Sequence, residues 1–385
     1  MNIVVDENIP FGEEAFSNLG TVTVLPGREI TSKSLQDATA LIVRSVTPVN
    51  KELLGGTGVK FVGTATAGID HIDLAYLAQH GIGFADATGS NANSVAEYVL
   101  TALAILAQKF QISLKGKTLG IIGVGRIGRL VAKNAKVLGM EVIPNDPPLA
   151  RETQETGYRP LDQALQADFV TLHVPLIKEG TDKTVQLIGE KQLAAIPPSS
   201  MLINASRGEV VDNFSLLNTL KNQQLRDAVL DVWEGEPSIN WELANCVTIA
   251  TPHVAGYSFD GKIKGTTMIY QAACQYFGIT PTWEYKEREP QSSVPGYVIE
   301  ACGHHLEQLL FHLAPRLYDL HGDDARMRSL LTLPASERAI GFDQLRKNYP
   351  IRREFFSSPV HLRGADPAII SGLADLGFSI HPFEK

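Results

Sequence analysis

The sequence predicts an α/β protein built on doubly wound parallel sheets. Three observations lead there. Short runs rich in Val, Ile and Leu recur along the first two-thirds of the chain, longer helical patterns alternate with them, and one strand–turn–helix junction carries three glycines at fixed spacing. Near-continuous apolar strands are those buried on both faces, as parallel strands are. Their alternation with helices implies βαβ units.

In chain order the strands are "NIVVD", "ALIVRS", "KFVGTAT", "TLGIIG", "EVIPND", "FVTLHVP", "SMLINAS", "DAVLDVW" and "VTIATP". A long helix is expected over "SVAEYVLTALAILAQKF", where Ser94 and Glu97 have capping-box spacing. A second helix follows from about Asp260 to Phe277. These two helices would join a discontinuous domain, residues 1–92 and 256–280, to an inserted domain, residues 93–255. After Gly278 the composition shifts, and "TPTWEYKEREPQSSVPGYV" reads as a linker or extended arm. Residues 281–385 are expected to form a separate C-terminal α+β module. There "GYVIEACGHHLEQLLFHL" has an amphipathic pattern, which implies that the module dimerises the chain into a homodimer.

The formal charge of −8 disfavours nucleic acid and anionic membranes as partners. An anionic substrate therefore needs a local basic lining. The run "YVLTALAILA" is too short to span a bilayer, and "MNIVVDENIP" lacks a signal-peptide layout. Three scattered cysteines, Cys246, Cys274 and Cys302, fit a reducing cytosol better than a disulfide framework. A cytoplasmic protein is expected. His304, His305 and His312 lack the i, i+4 spacing of a helical metal pair, so no metal is expected.

"LGIIGVGRIGRLVAKNAKVLG" holds Gly123, Gly125 and Gly128 in GxGxxG spacing, between a strand and a helix. Gly123 permits the tight turn, Gly125 lets the backbone approach a pyrophosphate, and Gly128 lets the helix lie against the strand. The helix N-terminus offers N–H groups to the anion. The turn of a Rossmann-type NAD domain is expected here, and the plainer reading is an ordinary βα turn. Asp146 ends the next strand, where a carboxylate bonds ribose hydroxyls and repels a 2′-phosphate, which favours NAD over NADP. The plainer role for Asp146 is a helix or turn cap.

Three strand ends then supply a site for a 2-hydroxy or 2-oxo acid. Arg207 in "INASRGEVVD" can hold a carboxylate bidentately. His253 in "TPHVAG" is placed as general acid/base. Glu236 in "DVWEGEP" would stabilise its imidazolium, with Glu234 as the alternative. Each has a plainer reading as a turn residue. His173 in "HVP" would line the cofactor cleft.

Over roughly residues 1–280 these motifs, with "GKTLGIIGVGRIGR" and "HVPLI", resemble the D-isomer-specific 2-hydroxyacid dehydrogenase family. The resemblance implies a Rossmann domain inserted in a flavodoxin-like substrate domain. It implies that Arg207 binds the substrate carboxylate and that Glu236 supports His253. It implies cofactor contacts at Gly125, Arg126, Ile127, Asp146, Pro175, Ala205, Ser206, Asp231 and Gly256. "TATAGIDHID" replaces the more Gly-rich loop of generic members, and Tyr257 follows TPHVAG. The finer likeness implies a phosphorylated four-carbon hydroxy acid, and Arg44, Ser45, Thr66 and Tyr257 are the residues expected to bind it, with Ala67 and Gly68 beside them. Arg346, Arg352 or Arg353 could add charge, although "LRKNYPIRREF" otherwise reads as a solvated basic face. Two rivals remain. One is a relative acting on phosphoglycerate with a regulatory tail, which should show βαββαβ alternation. The other is an NAD(H)-sensing scaffold or corepressor without chemistry.

Overall fold

The computed structural model describes residues 1–285 and 296–382. It divides into two compact units, Met1–Asn91 with Tyr257–Gln291 and Ala92–Gly256 with Ser292–Lys385.

The first unit is built on five parallel strands: β1 (Asn2–Asp6), β2 (Thr21–Leu25), β3 (Ala40–Val43), β4 (Phe61–Thr64) and β5 (Gly83–Asp86), in the order β2-β1-β3-β4-β5. Inner strands β3 and β4 are buried at every position, which is why their sequences are apolar without alternation. Ile3, Val5, Ile42 and Phe61 pack on one face with Ile269, Tyr270 and Ala273 of the helix Phe259–Phe277. Val4, Leu41, Val43 and Val62 pack on the other, as the two-residue period of a strand requires. The Ser258 hydroxyl caps that helix by accepting the Gly261 N–H at 2.8 Å, and Gly278 ends it at φ 67°. The expected linker begins later than its composition suggests. Thr282 and Trp283 donate backbone N–H groups to the Tyr270 hydroxyl at 2.9 and 3.1 Å, and Trp283 is buried. A tryptophan that finds a core holds the chain against this unit. Residues 286–295 of that expected linker lie outside the described residues, and its last two, Tyr297 and Val298, begin a strand, Tyr297–Glu300.

The second unit carries β6 (Thr118–Ile122), β7 (Glu141–Asn145), β8 (Phe169–Leu172), β9 (Met201–Asn204), β10 (Asp227–Leu230) and β11 (Ile249–Ala250), all parallel, in the order β11-β10-β9-β8-β6-β7. The order reverses between β6 and β8, the point at which open α/β sheets bind ligands beyond their carboxyl ends. A third parallel sheet, β12 (Tyr297–Glu300), β13 (Pro359–Arg363) and β14 (Ser379–Pro382), belongs to the same unit.

The C-terminal residues therefore do not stand apart. Leu309, Leu313, Phe355, Val360 and Leu373 share one core with the helix Ala92–Phe110 and with Leu119, Ile121 and Ile203 of the six-stranded sheet. Met327, Leu330 and Phe342 join the core on its other side. The expected capping box is also absent. Ser94 lies inside the helix and donates its hydroxyl to Glu354 Oε1 at 2.6 Å, while Glu97 Oε1 accepts the Phe355 N–H at 2.8 Å. Polar groups that would close a helix start are used here against the C-terminal segment. Among the described residues no helix is long and apolar enough to cross a membrane.

Candidate active site

The glycine turn after β6 is shaped by close approach. Gly123 has φ 89°, and a Cβ there would lie 2.7 Å from the His173 carbonyl oxygen. A Cβ on Gly128 would lie 2.1 Å from the Gly123 carbonyl, so only glycine lets the helix Arg126–Val137 come this near. Gly125 differs, since an added Cβ would meet nothing within 4 Å. Gly125 is the N-cap and offers no side-chain acceptor to the first N–H groups of this helix. A cradle of this kind fits the pyrophosphate of a dinucleotide. Asp146 closes its side. Oδ2 accepts the Val124 N–H at 2.8 Å, and Oδ1 caps the helix Pro147–Thr153 by accepting from Leu149 at 3.0 Å. Its capping role and its place beside the glycine turn thus coexist. Beyond β8, His173 Nε2 lies 3.0 Å from the Thr171 hydroxyl. Burial pushes its pKa down to about 3, so it is neutral at working pH. Pro175 follows on the exposed surface, and its carbonyl accepts the Thr184 hydroxyl at 2.6 Å.

The turn after β9 is fixed by Asn204. Its Oδ1 accepts the N–H and hydroxyl of Ser206 at 3.0 and 2.8 Å, and its Nδ2 donates to the Arg207 carbonyl at 3.0 Å. Ala205 and Ser206 are buried, and Arg207 is half-buried, with Nη1 donating to the Ser206 carbonyl at 2.7 Å. A Cβ on Gly208 would collide with the Trp233 backbone, so this turn is pressed against the one after β10.

That second turn separates the two glutamates. Glu234 accepts the Asn213 N–H at 2.9 Å. Glu236 accepts the Trp233 N–H at 2.9 Å through Oε1, and its Oε2 lies 2.7 Å from His253 Nδ1. The His253 side chain still exposes 31% of its surface, enough to meet a substrate. Burial alone would lower the His253 pKa. The facing Glu236 charge and hydrogen bond outweigh it, Arg346 opposes them and Asp231 assists, and the result is raised. For Glu236 burial acts upward but is overcome by His253, with Arg346 and the Trp233 N–H helping, so its pKa is lowered. The imidazolium–carboxylate form is favoured.

The loop under His253 depends on Asp231, 1% exposed. Its carbonyl accepts the His253 N–H at 2.7 Å, and its carboxylate accepts Val254 N–H and Ala255 N–H at 2.7 and 2.9 Å. The Thr251 hydroxyl donates to the same carboxylate at 2.7 Å and lies 2.9 Å from the Tyr98 hydroxyl. Gly256, half-buried, ends the first of the two segments of this unit.

In the first unit, Arg44 Nη2 donates to the Tyr257 hydroxyl at 3.3 Å, with its guanidinium carbon 5.5 Å from that ring's centroid. Lys262 Nζ lies 4.6 Å from the same centroid. The Thr66 hydroxyl donates to the Gly68 carbonyl at 3.0 Å and lies 2.8 Å from the Thr64 hydroxyl; Ser45 is exposed.

Sequence reasoning missed Lys262, Asp231 as the support of the loop, and Thr251 with Tyr98. Lys262 could have been found from its spacing, one helical turn past the Ser258 cap. It also misread "PIRREF". Arg352 and Arg353 are 7% and 8% exposed, so this is not a solvated basic face. The Arg352 Nη2 donates to the Ala255 carbonyl at 2.8 Å. Among the described residues no group of three or more His, Cys, Asp and Glu is gathered as for a metal.

Comparison with known proteins adds to this geometry. Residues 100–255 match the family described as D-isomer specific 2-hydroxyacid dehydrogenase, NAD binding domain, and residues 292–377 match Domain of unknown function (DUF3410). The chain is 45% identical over 384 residues to the erythronate-4-phosphate dehydrogenase of Cellvibrio japonicus, covering 98% of this chain and 99% of that one. It is 44% identical over 386 residues to that of Escherichia coli, covering 99% and 100%. Among solved structures, a D-lactate dehydrogenase from Aquifex aeolicus, complexed with NAD and lactic acid, matches 72% of this chain and 96% of its own at TM-score 0.62 and 26% identity. An NAD-bound 3-phosphoglycerate dehydrogenase of Entamoeba histolytica matches 72% and 95% at TM-score 0.61 and 27% identity.

Proposed function

The chain belongs to the D-isomer-specific 2-hydroxyacid dehydrogenase family and is an NAD-dependent oxidoreductase, and on that premise we propose the roles of its residues. The enzyme oxidises 4-phospho-D-erythronate at C2 to 2-oxo-3-hydroxy-4-phosphobutanoate, a step toward pyridoxal phosphate. The full-length relatives carry this assignment, and the phosphoglycerate alternative is not favoured, since that neighbour matches less of the chain at lower identity. Intact chemistry at the strand ends speaks against a scaffold without catalysis.

The observation that carries the mechanism is the 2.7 Å contact of Glu236 Oε2 with His253 Nδ1. It fixes the ring, so that Nε2 is the atom that takes the C2 hydroxyl proton. Glu236 stabilises the imidazolium that results. Arg207 holds the carboxylate beside the reacting carbon. NAD, when bound, would supply the acceptor for the hydride that leaves C2. Gly123, Gly125, Arg126, Ile127 and Gly128 would hold its pyrophosphate, Asp146 its ribose, and Pro175, Ala205, Ser206, Asp231 and Gly256 the remainder. To the first unit we assign the phosphate, through Arg44 and Tyr257 with Ser45, Thr66 and the added Lys262. Assay of purified protein for NADH formation with 4-phosphoerythronate, 3-phosphoglycerate and unphosphorylated erythronate tests the substrate. Highest kcat/KM on the first supports it; a preference for 3-phosphoglycerate overturns it.

The reading extends to a cytoplasmic homodimer that binds neither nucleic acid nor membrane. All three cysteines are free. β12 is an end strand of its sheet and leaves Val298 53% exposed, a surface that a second copy would cover. Light scattering should give a dimer mass; a monomer mass removes that part.

A further inference from the structure

We propose that Arg352, on the C-terminal segment, is a positioning residue for catalysis: it clamps the Ala255 carbonyl and so fixes the backbone that carries His253. The segment matched as a domain of unknown function thereby acquires a role within its own chain.

His253 has φ 59°, in the left-handed region that a non-glycine residue keeps only when its surroundings over-determine it. Asp231 holds the N–H side of this loop, through its carbonyl to His253 and its carboxylate to Val254 and Ala255. The carbonyl side is held from elsewhere. Arg352 Nη2 donates to the Ala255 carbonyl at 2.8 Å, two residues beyond His253 and 97 residues away in sequence. This guanidinium is buried, with its carbon 4.0 Å from the Tyr318 ring centroid. Its Nε and Nη1 have no hydrogen-bond partner among the described residues. A buried guanidinium with one hydrogen bond is expensive to keep. That bond goes to the catalytic loop, a destination that a surface or phosphate-binding arginine would not have.

The clamp is itself anchored. Tyr349 donates to Asp323 Oδ2 at 2.7 Å. Glu354 accepts from Asn93 at 2.7 Å and from Ser94 at 2.6 Å, and the Phe355 N–H bonds Glu97 at 2.8 Å. Arg352 is thus fixed on both sides to the helix and core that carry the six-stranded sheet. Without it the Ala255 carbonyl can turn, the backbone at His253 can relax, and the ring loses its alignment with Glu236.

The test uses full-length Arg352→Met and Arg352→Lys, with steady-state kinetics on 4-phosphoerythronate and NADH affinity by fluorescence titration. Arg352→Met should lower kcat about 10-fold or more, the scale of a small misplacement of a catalytic group, while the NADH Kd stays within about twofold. Arg352→Lys, which keeps charge and a donor at shorter reach, should fall between Met and wild type. Wild-type kcat in Arg352→Met, or a loss of NADH affinity equal to the loss of kcat, overturns the clamp. Should Arg352→Met not fold, Arg352→Lys decides by itself: reduced kcat at unchanged NADH Kd supports the clamp, and wild-type kcat overturns it. The inference rests on His253 being the acid–base group, so His253→Gln is run in parallel. An active His253→Gln sinks that reading, whereas wild-type kcat in the Arg352 variants sinks the clamp alone.

Discussion

The five-stranded and six-stranded sheets share one strand order and differ in the turn that follows their first strand. Counted within each sheet, the order is 2-1-3-4-5 in the first unit, and the second adds a sixth strand beyond the fifth. Both first turns bring a helix close to the sheet through glycine. A Cβ on Gly12 would lie 2.7 Å from Val5, as one on Gly128 would collide with Gly123. There the likeness stops. After β6 comes a twelve-residue helix whose start has no acidic residue in its first turn. After β1 comes a six-residue helix with Glu13 and Glu14 in its first turn, carboxylates that repel an anion from the N-terminus. The shared topology supplies strand ends, and the side chains at those ends decide what each sheet can do. The second unit holds the Glu236–His253 contact and the glycine turn, and the five-stranded unit holds Arg44 and Lys262 gathered at the Tyr257 ring.

The largest expected effect separates the two by rate. His253→Ala should lower kcat by roughly 100-fold or more, the scale of losing a general acid/base, with NADH affinity retained. Near-wild-type turnover in that variant would remove the chemistry from the six-stranded sheet.

A smaller and more selective effect belongs to the five-stranded unit. Arg44→Ala removes a guanidinium, and a charge-assisted bond of about 2 kcal/mol corresponds to roughly 30-fold in KM for the phosphorylated acid. Activity on unphosphorylated erythronate should hardly change. The ratio of kcat/KM for the two acids, in variant and wild type, reads this directly. An unchanged ratio would take Arg44 out of the phosphate site.

The smallest effect sharpens the role of the six-stranded sheet alone. Asp146→Ala should narrow the preference for NAD over NADP in kcat/KM. It also removes the cap on the helix Pro147–Thr153, worth about 1 kcal/mol, so a lower Tm should accompany it. A wild-type enzyme that favours NADP would refute the ribose role.

Much of this was legible in the sequence, for local reasons. β3, β4, β8, β9 and β10 are buried at every position, so their composition announces them. The outer strands β2 and β5 escape recognition, because β2 has no buried residue and β5 is half-buried throughout. The glycine turn and the three strand-end motifs are each contained in a few consecutive residues. The contact between Glu236 and His253 is short-range too, at a sequence separation of 17. What the sequence hid is long-range. Ser94 looked like a cap because its real partner, Glu354, lies 260 residues away. Arg352 looked solvated because a basic run carries no mark of the aromatic ring and the carbonyl that bury it.

The proton-transfer pair is tested most directly by the pH dependence of kcat/KM for oxidation, measured for wild type and Glu236→Gln. His253 must be neutral to accept the hydroxyl proton, so wild-type activity should climb with pH through its raised pKa. Glutamine removes the charge that outweighs burial, and burial then pushes the histidine the other way. The rising limb should therefore move to lower pH, with kcat reduced. A limb that stays in place, or moves to higher pH, would contradict the pairing of Glu236 with His253.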